Sequence, residues 1–526
     1  MSEAFHKCGY DKELGVVSLS NRPDLCKFTC NGAMAGAKLY KKNPLVIAKE
    51  ICESLLNNEI IEKAEPVSPG FINITLKNEF YENIVNGSTN LRSLVDKISN
   101  DTIIVDYGGP NVAKPLHIGH IRSANIGESA KRIANFLGFN ALGDVHLGDW
   151  GLQMGLVITE IKYRFPDLVY FQKDYEPSSE DTCPVSISEL NEIYPTASLK
   201  SKENENFKLE AQLNTKKLQN HEIGYYNLWK KILEISIQDM KSIYNKLNVS
   251  FEYWYGESTC ENYVERLIKE LEDQNLLYES DGALVVDVSE ETDKTEIPPI
   301  IIKKSDGSQL YSTSDLATIM LRKEEFNPSQ ILYTADNRQS LHFSQVFRCA
   351  NKAKLIDENV NLEFFGFGTM NGKDGKPFKT RDGGVMKLDD LINSAVDSAL
   401  DKINENISSE ISEEEKLTIA NKVGIAALKF GDLYNHRAKD YIFDLERFLS
   451  FEGKTGPYIL YSIATINSIL RKSGNTNDNH IKIYSETETE LLIRIIMSEN
   501  ILIKSFNEKL PSILCEHVYD IATLFN

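Results

Sequence analysis

The sequence predicts an α/β protein built on a parallel sheet, with a small α+β domain ahead of it and an α-helical bundle behind it. Three observations carry this. From Thr102 a short apolar run, a helix-period stretch and a second apolar run follow one another, the βαβ order that makes a parallel sheet. Residues 1–90 mix short strands and helices. After about residue 400 strand signals nearly vanish and capped amphipathic helices take over.

The chain has 526 residues, enough for roughly three or four domains and for large cores without disulfides. A net charge of −19 argues against a protein that coats nucleic acid non-specifically, while a local basic surface still suffices for a nucleic-acid partner. Of the eight cysteines only Cys26 and Cys30 are close, and no second pair completes a zinc site. No dedicated metal site is expected. MSEAFHKCGYDKELG has no apolar signal core, and no apolar run reaches the ~18 residues that cross a bilayer. A soluble, reduced, cytoplasmic protein is expected, with no membrane partner.

In chain order, GAMAGAKLYKKNPLVIAKEICESLL is helix-like and broken at Pro44. GFINITL (Gly70 to Leu76) alternates as a half-buried strand. NGSTNLRSLVDKISND reads as a connection. TIIVDY is a buried-type strand. Ile126, Ala130, Ile133 and Leu137 then recur at helical spacing, with Gly138 as the C-cap, before FNALGDVHL.

Residues from about 160 to 250 look inserted. They end in an amphipathic helix whose predicted apolar face is Trp229, Leu233, Ile237, Met240, Tyr244 and Leu247. Strand signals resume at ALVVDV, IPPIIIKK and SQILYTA. Ser412 and Glu415 form a capping-box pattern ahead of Leu417, Ala420, Val423, Ala427 and Phe430, and Ser485 and Glu488 form another. Pro511 opens a last helix with Leu514, Val518, Ile521 and Phe525 on one face. The boundaries expected are 1–90, 101–395 and 396–526.

One stretch concentrates chemistry: YGGPNVAKPLHIGHIRSANIG, Tyr107 to Gly127. His117 and His120 could be a metal pair, an acid/base pair or phosphate donors. A metal pair lacks a carboxylate at the usual spacing. The phosphate reading uses more of the pieces. The stretch lies at the C-terminal edge of a predicted parallel strand, where open α/β sheets bind ligands. A helix starting near His117 aims free N–H groups at that edge. Lys114 adds charge, and Gly119 lets a flat ligand approach.

PNVAKPLHIGH resembles the HIGH signature of class I aminoacyl-tRNA synthetases, in its arginyl-tRNA synthetase form. VHLGDWGLQMG, LYSTSDLA, DNRQSLHF, GKDGKPFKTRDGG and FEGKTGPYILY are similar to further blocks of that family, in its order, and CNGAMAGAKLYKKNP is similar to its N-terminal domain. The resemblance covers essentially the whole chain. It implies a Rossmann-type catalytic domain at 101–395, a tRNA-binding domain at 1–90 and an anticodon-binding bundle at 396–526.

The same resemblance implies arginine activation by ATP to arginyl-adenylate and pyrophosphate, then transfer to the terminal adenosine of tRNA(Arg). Mg2+ accompanies ATP, and the chain is expected to be a monomer. His117 and His120 contact the phosphates. Gly119 and Met370 lie by the nucleotide. Lys379, in KPFKT, takes the place of the second KMSKS lysine. KPFKT departs from the KMSKS letters, and Lys114 shares the first-lysine role with Lys376. Between Asn371 and Lys387 basic residues exceed acidic ones by three, which suits polyphosphate. Asn111, Glu257, Tyr311, Asp315, Gln339 and Asp106 match the amino-acid contacts. A guanidinium is a planar fork of five donors, best met by carboxylates.

Family members usually continue past a segment like YDIATLFN, so a chain ending at Asn526 is expected to be shortened there. Two other readings stay open at this point. One is another class I synthetase or nucleotidylyltransferase. The other is a catalytically silent relative that binds tRNA.

Overall fold

Four parallel strands carry the site: β1 (Thr102–Asp106), β2 (Asn140–Asp144), β3 (Gln330–Tyr333) and β4 (Asn361–Phe364), in the spatial order β4–β3–β1–β2. The register sets Asp106 beside both Asp144 and Tyr333, so three strands end level. Ile103, Ile104, Val105, Ile331 and Leu332 are buried, as a sheet covered on both faces requires. The computed structural model describes residues 1–526 apart from 23, 306–309, 377–385, 407–410 and 475–479.

These strands belong to a unit formed by Asp96–Lys472 and Asn500–Ala522. Its main helices are α1 (Gly119–Phe136), α2 (Leu152–Arg164), α3 (Ile223–Lys246), α4 (Tyr311–Phe326), α5 (Ser340–Lys352) and α6 (Glu413–Leu433). α1 buries Ile126, Ala130 and Ile133, with Leu137 just beyond its end. Gly138 follows at φ +104°, the left-handed turn that a glycine allows at no steric cost.

Between α2 and α3 lie the helices Ile187–Glu203 and Glu205–Gln219. Of the face read from the sequence for α3, Trp229, Met240, Tyr244 and Leu247 are buried. Leu228 and Ile232 are fully buried, while Leu233 and Ile237 are half-buried. Neighbouring helices cover it on more than one side, so the inner face is wider than one stripe and is centred a residue earlier.

Of the three apolar runs predicted as strands after residue 280, one enters the parallel sheet. The other two, Ala283–Val286 and Ile300–Lys303, join Leu277–Ser280 in a separate antiparallel sheet. An apolar run specifies burial and leaves its partner open. The deciding signal was Asp281-Gly282, both at positive φ, which closes a two-residue hairpin.

A second unit comprises Met1–Val95, Ser473–Glu499 and Thr523–Asn526. Its antiparallel sheet runs Val17–Leu19, Phe28–Cys30, Phe71–Leu76, Ile61–Val67. Pro44 opens the helix Pro44–Ser54, and Asn43 caps it by accepting from the Leu45 N–H at 2.9 Å. Phe5, Cys30, Ile47, Ile51 and Ile72 form the core. Within this unit the helix Glu486–Ile496, with a complete Ser485–Glu488 capping box, packs Leu492 and Ile493 with Tyr81. All eight cysteines are free. No helix among the described residues is long and apolar enough to cross a membrane.

Candidate active site at the head of the parallel sheet

A cleft of about 750 Å³ opens where β1, β2 and β3 end. The turn after β1 is held from three directions. The Gly108 N–H donates to Ser123 Oγ (2.8 Å), that hydroxyl donates to the Thr334 carbonyl (2.9 Å), and Tyr244 donates to the Gly108 carbonyl (2.7 Å). The turn then pairs with the loop after β2: Val112 N–H to the Gly148 carbonyl at 3.0 Å, Gly148 N–H to the Pro110 carbonyl at 3.1 Å. This presents Asn111 to the cleft.

His117 and His120 stand at the start of α1 with ring centroids 3.9 Å apart. The His117 N–H donates to His120 Nδ1 (2.9 Å), and the Gly119 N–H donates to His117 Nδ1 (3.1 Å). His117 Nδ1 accepts, so a neutral His117 ring carries its proton on Nε2; His120 Nδ1 also lies 3.1 Å from the His117 carbonyl, and its tautomer decides which of the two it pairs with. Burial holds the His117 imidazole below its usual value, helped by the charge of Lys114. Burial and the neighbouring His117 ring hold His120 down to about 3. A Cβ at Gly119 would stand 2.8 Å from His117 Cε1 and 3.0 Å from Nδ1, so glycine is needed for His117 to fold over it.

The other end of the cleft is acidic. Asp149 is buried and accepts from the Ser258 N–H (3.0 Å) and the Ser258 hydroxyl (2.5 Å). This positions Glu257, whose carboxyl is pushed up to about 7 by burial and then by the charges of Asp149 and Asp315. Asp315 Oδ2 meets His342 Nε2 at 2.5 Å. Tyr311, at the first turn of α4, and Gln339 complete this end. A carboxyl at the wall of a cavity, raised by burial and by the charges of two carboxylates beside it, calls for a bound cation.

Phe367 to Met370 form a further wall of the cleft. Met370–Asn371 pairs with Tyr441–Ile442. Beyond the wall, Met386 and Leu388 bond back to the signature segment: the Ile118 N–H donates to the Met386 carbonyl (3.1 Å) and the Leu388 N–H to the Leu116 carbonyl (2.8 Å). Met386 and Leu388 therefore lie beside the His117 turn.

Comparisons with known proteins fit this geometry. Residues 84–445 match the family model described as tRNA synthetases class I (R), catalytic domain. Residues 1–76 match the arginyl tRNA synthetase N terminal domain, and 459–526 the DALR anticodon binding domain. The chain is 49% identical to the arginine–tRNA ligase of Alkaliphilus oremlandii over 533 residues, which is all of this chain and 90% of that one. The chain belongs to the arginyl-tRNA synthetase family. The arginine–tRNA ligase of Agathobacter rectalis is likewise 49% identical, with the same coverage. The solved arginyl-tRNA synthetase of Plasmodium falciparum superposes with a TM-score of 0.80 at 27% identity, covering 97% of this chain and 87% of that one.

In this family member the cleft brings together His117, Gly119, His120, Met370, Asn111, Glu257, Tyr311, Asp315, Gln339 and Asp106. Lys114 and Lys376 are not among its lining. Lys114 places its ammonium 4.2 Å over the Tyr194 ring, on an inserted helix. Lys379 lies outside the described residues, as do Thr380 and Arg381. Asp106 reaches the cleft, yet its Oδ2 is already bonded to Arg322 (2.7 Å), which also meets Asp144 Oδ2 (2.6 Å). Sequence reasoning missed Asp149, His342, Arg122 and Arg322. Asp149 and His342 lie inside the quoted family blocks. Arg122 is two residues past His120. Arg322 had no signal.

Proposed function

We propose that this chain is an arginine–tRNA ligase working in the cleft at the head of the parallel sheet. The observation that carries it is the polarity of the cleft: the Glu257 and Asp315 carboxylates at one end, the His117 and His120 imidazoles at the other. Arginine and ATP have the complementary polarity. The guanidinium goes to Glu257 and Asp315, with Tyr311, Gln339 and Asn111 contacting the rest of the amino acid. Asp106, already bonded to Arg322, supports the sheet edge from which Asn111 is presented.

In the first step an oxygen of the arginine carboxylate bonds to the α-phosphorus of ATP while the bond to the bridging oxygen breaks and pyrophosphate leaves. In the second, the terminal ribose hydroxyl of tRNA(Arg) attacks the arginyl carbonyl and AMP leaves. The first step needs in-line placement and donors to the growing phosphate charge. The imidazoles of His117 and His120 supply donors, and no proton transfer is asked of them. Gly119 and Met370 flank the adenosine. Lys379 holds the pyrophosphate end, with Lys114 and Lys376 sharing the first-lysine role.

Mg2+ enters on the ATP phosphates. Phosphate oxygens and water are the ligands such an ion keeps. Residues 1–90 and the helices after residue 396 supply tRNA contacts. The chain acts as a monomer in a reducing cytoplasm, which its free thiols suit.

ATP–pyrophosphate exchange, amino acid by amino acid, with and without tRNA, tests this reading. Exchange with arginine alone, in the presence of tRNA, is expected. Its absence there sinks the reading.

A further inference from the structure

Arg122 is 1% exposed and joins three segments that are distant in sequence. Its Nε donates to Asp432 Oδ1 on α6 (3.0 Å), and its Nη1 to the carbonyls of Gly368 (2.6 Å) and Lys439 (3.2 Å). The guanidinium lies 4.9 Å from the Tyr441 ring centre and 5.8 Å from that of Phe367. Asp432 is held in turn by Asn125 Nδ2 and by the Tyr441 hydroxyl, both at 3.1 Å.

Gly368 is gripped on both sides: its carbonyl by Arg122, and its N–H by the Arg437 carbonyl at 2.8 Å. A Cβ there would stand 2.5 Å from the Lys439 carbonyl carbon, so the two backbones are in contact. A buried ion pair is by itself a weak stabiliser. This one lies in a particular place. His117, Gly119, His120 and Arg122 line the cleft from the start of α1, and Phe367, Gly368, Thr369 and Met370 line it from the segment after β4. The Arg122 fork is bonded across both.

We propose that Arg122, fixed by Asp432, is a positioning residue for the nucleotide: it sets the gap between the His117–His120 turn and the Phe367–Met370 wall, the two surfaces between which ATP lies. This rests on the ATP reading above. Lysine cannot replace the fork, because a point charge on a flexible stem cannot hold Asp432 and Gly368 in one fixed geometry.

The test uses the full chain. KM for ATP and KM for arginine are measured by exchange with tRNA, and a non-hydrolysable ATP analogue is titrated onto wild type, Arg122→Lys and Asp432→Asn. Thermal unfolding reports whether each is folded. A small displacement of a binding wall gives a rise of about tenfold or more in KM for ATP for Arg122→Lys, about threefold for Asp432→Asn, and arginine KM within about twofold. Unchanged ATP KM and analogue affinity in the folded variants overturn the proposal. So does an equal rise in both KM values, the mark of a merely structural role. Should Arg122→Lys not fold, Asp432→Asn decides on the same terms. Wild type without arginine-dependent exchange would sink the functional reading, and the analogue titration would still judge Arg122.

Discussion

His342 and Asp315 meet Nε2 to Oδ2 at 2.5 Å, across two helices of the cleft wall. The contact fixes one carboxylate oxygen of Asp315 while leaving the other for ligand. His342→Ala frees the carboxylate to rotate. A loosened ligand group costs about tenfold in arginine KM, with ATP KM unchanged. Steady-state exchange kinetics check this, and an arginine KM that does not move refutes it.

Glu257 makes arginine binding depend on pH. Its carboxyl is pushed up to about 7, so the free cleft prefers the neutral acid. The sign follows: the stability this gives the free protein is full below the ordinary carboxyl range and is lost as pH rises through about 7. Arginine needs the carboxylate, so its binding lowers this pKa and releases a proton. Affinity should rise between about pH 6 and 8, and Glu257→Gln should flatten the profile and weaken binding. Calorimetry in buffers of different ionisation heat checks it. No proton release at about pH 6.5 refutes the assignment.

The histidine turn was legible because it is local. His117, Gly119 and His120 make their bonds within three residues, so spacing and a strand-to-helix junction sufficed. Glu257 and Asp315 became candidates through family resemblance alone, since nothing within a few residues of either marks a cation site. Arg322 was invisible for a different reason: its partners are 216 and 178 residues away, and inside a helix pattern it reads as a surface charge. The hairpin at Asp281-Gly282 was legible and went unused, so two strands were left without the antiparallel partner that the turn dictates.

Gly119 is needed for a contact rather than for its backbone angle. A methyl there would stand 2.8 Å from His117 Cε1, and the imidazole must swing away, breaking its bond with the Gly119 N–H. Gly119→Ala should cut turnover about a hundredfold, the scale of misplacing a catalytic donor by an ångström. His120→Ala should act in the same sense, and neither should shift arginine KM by more than about twofold. A loss confined to arginine KM refutes the donor roles. Because both rings are held below their usual value, turnover at saturating arginine should show no acid limb of histidine origin between about pH 6 and 8.

Arg322 is 0% exposed, and one Nη2 serves both Asp106 and Asp144 at the level ends of neighbouring strands. Burial already raises the Asp106 carboxyl against the pull of this guanidinium. Arg322→Met keeps the volume and removes the charge, leaving two adjacent carboxylates in the interior. Breaking such a buried pair costs about 3–5 kcal/mol at neutral pH. The carboxylates escape by taking up protons, so their folded-state pKa values rise above the unfolded ones. A raised carboxyl stabilises most in acid, and the deficit against wild type must therefore shrink as pH falls from about 7 to 5. Urea denaturation at both pH values measures it. A deficit under about 1 kcal/mol, or one that grows in acid, means that the two strand ends do not depend on this arginine.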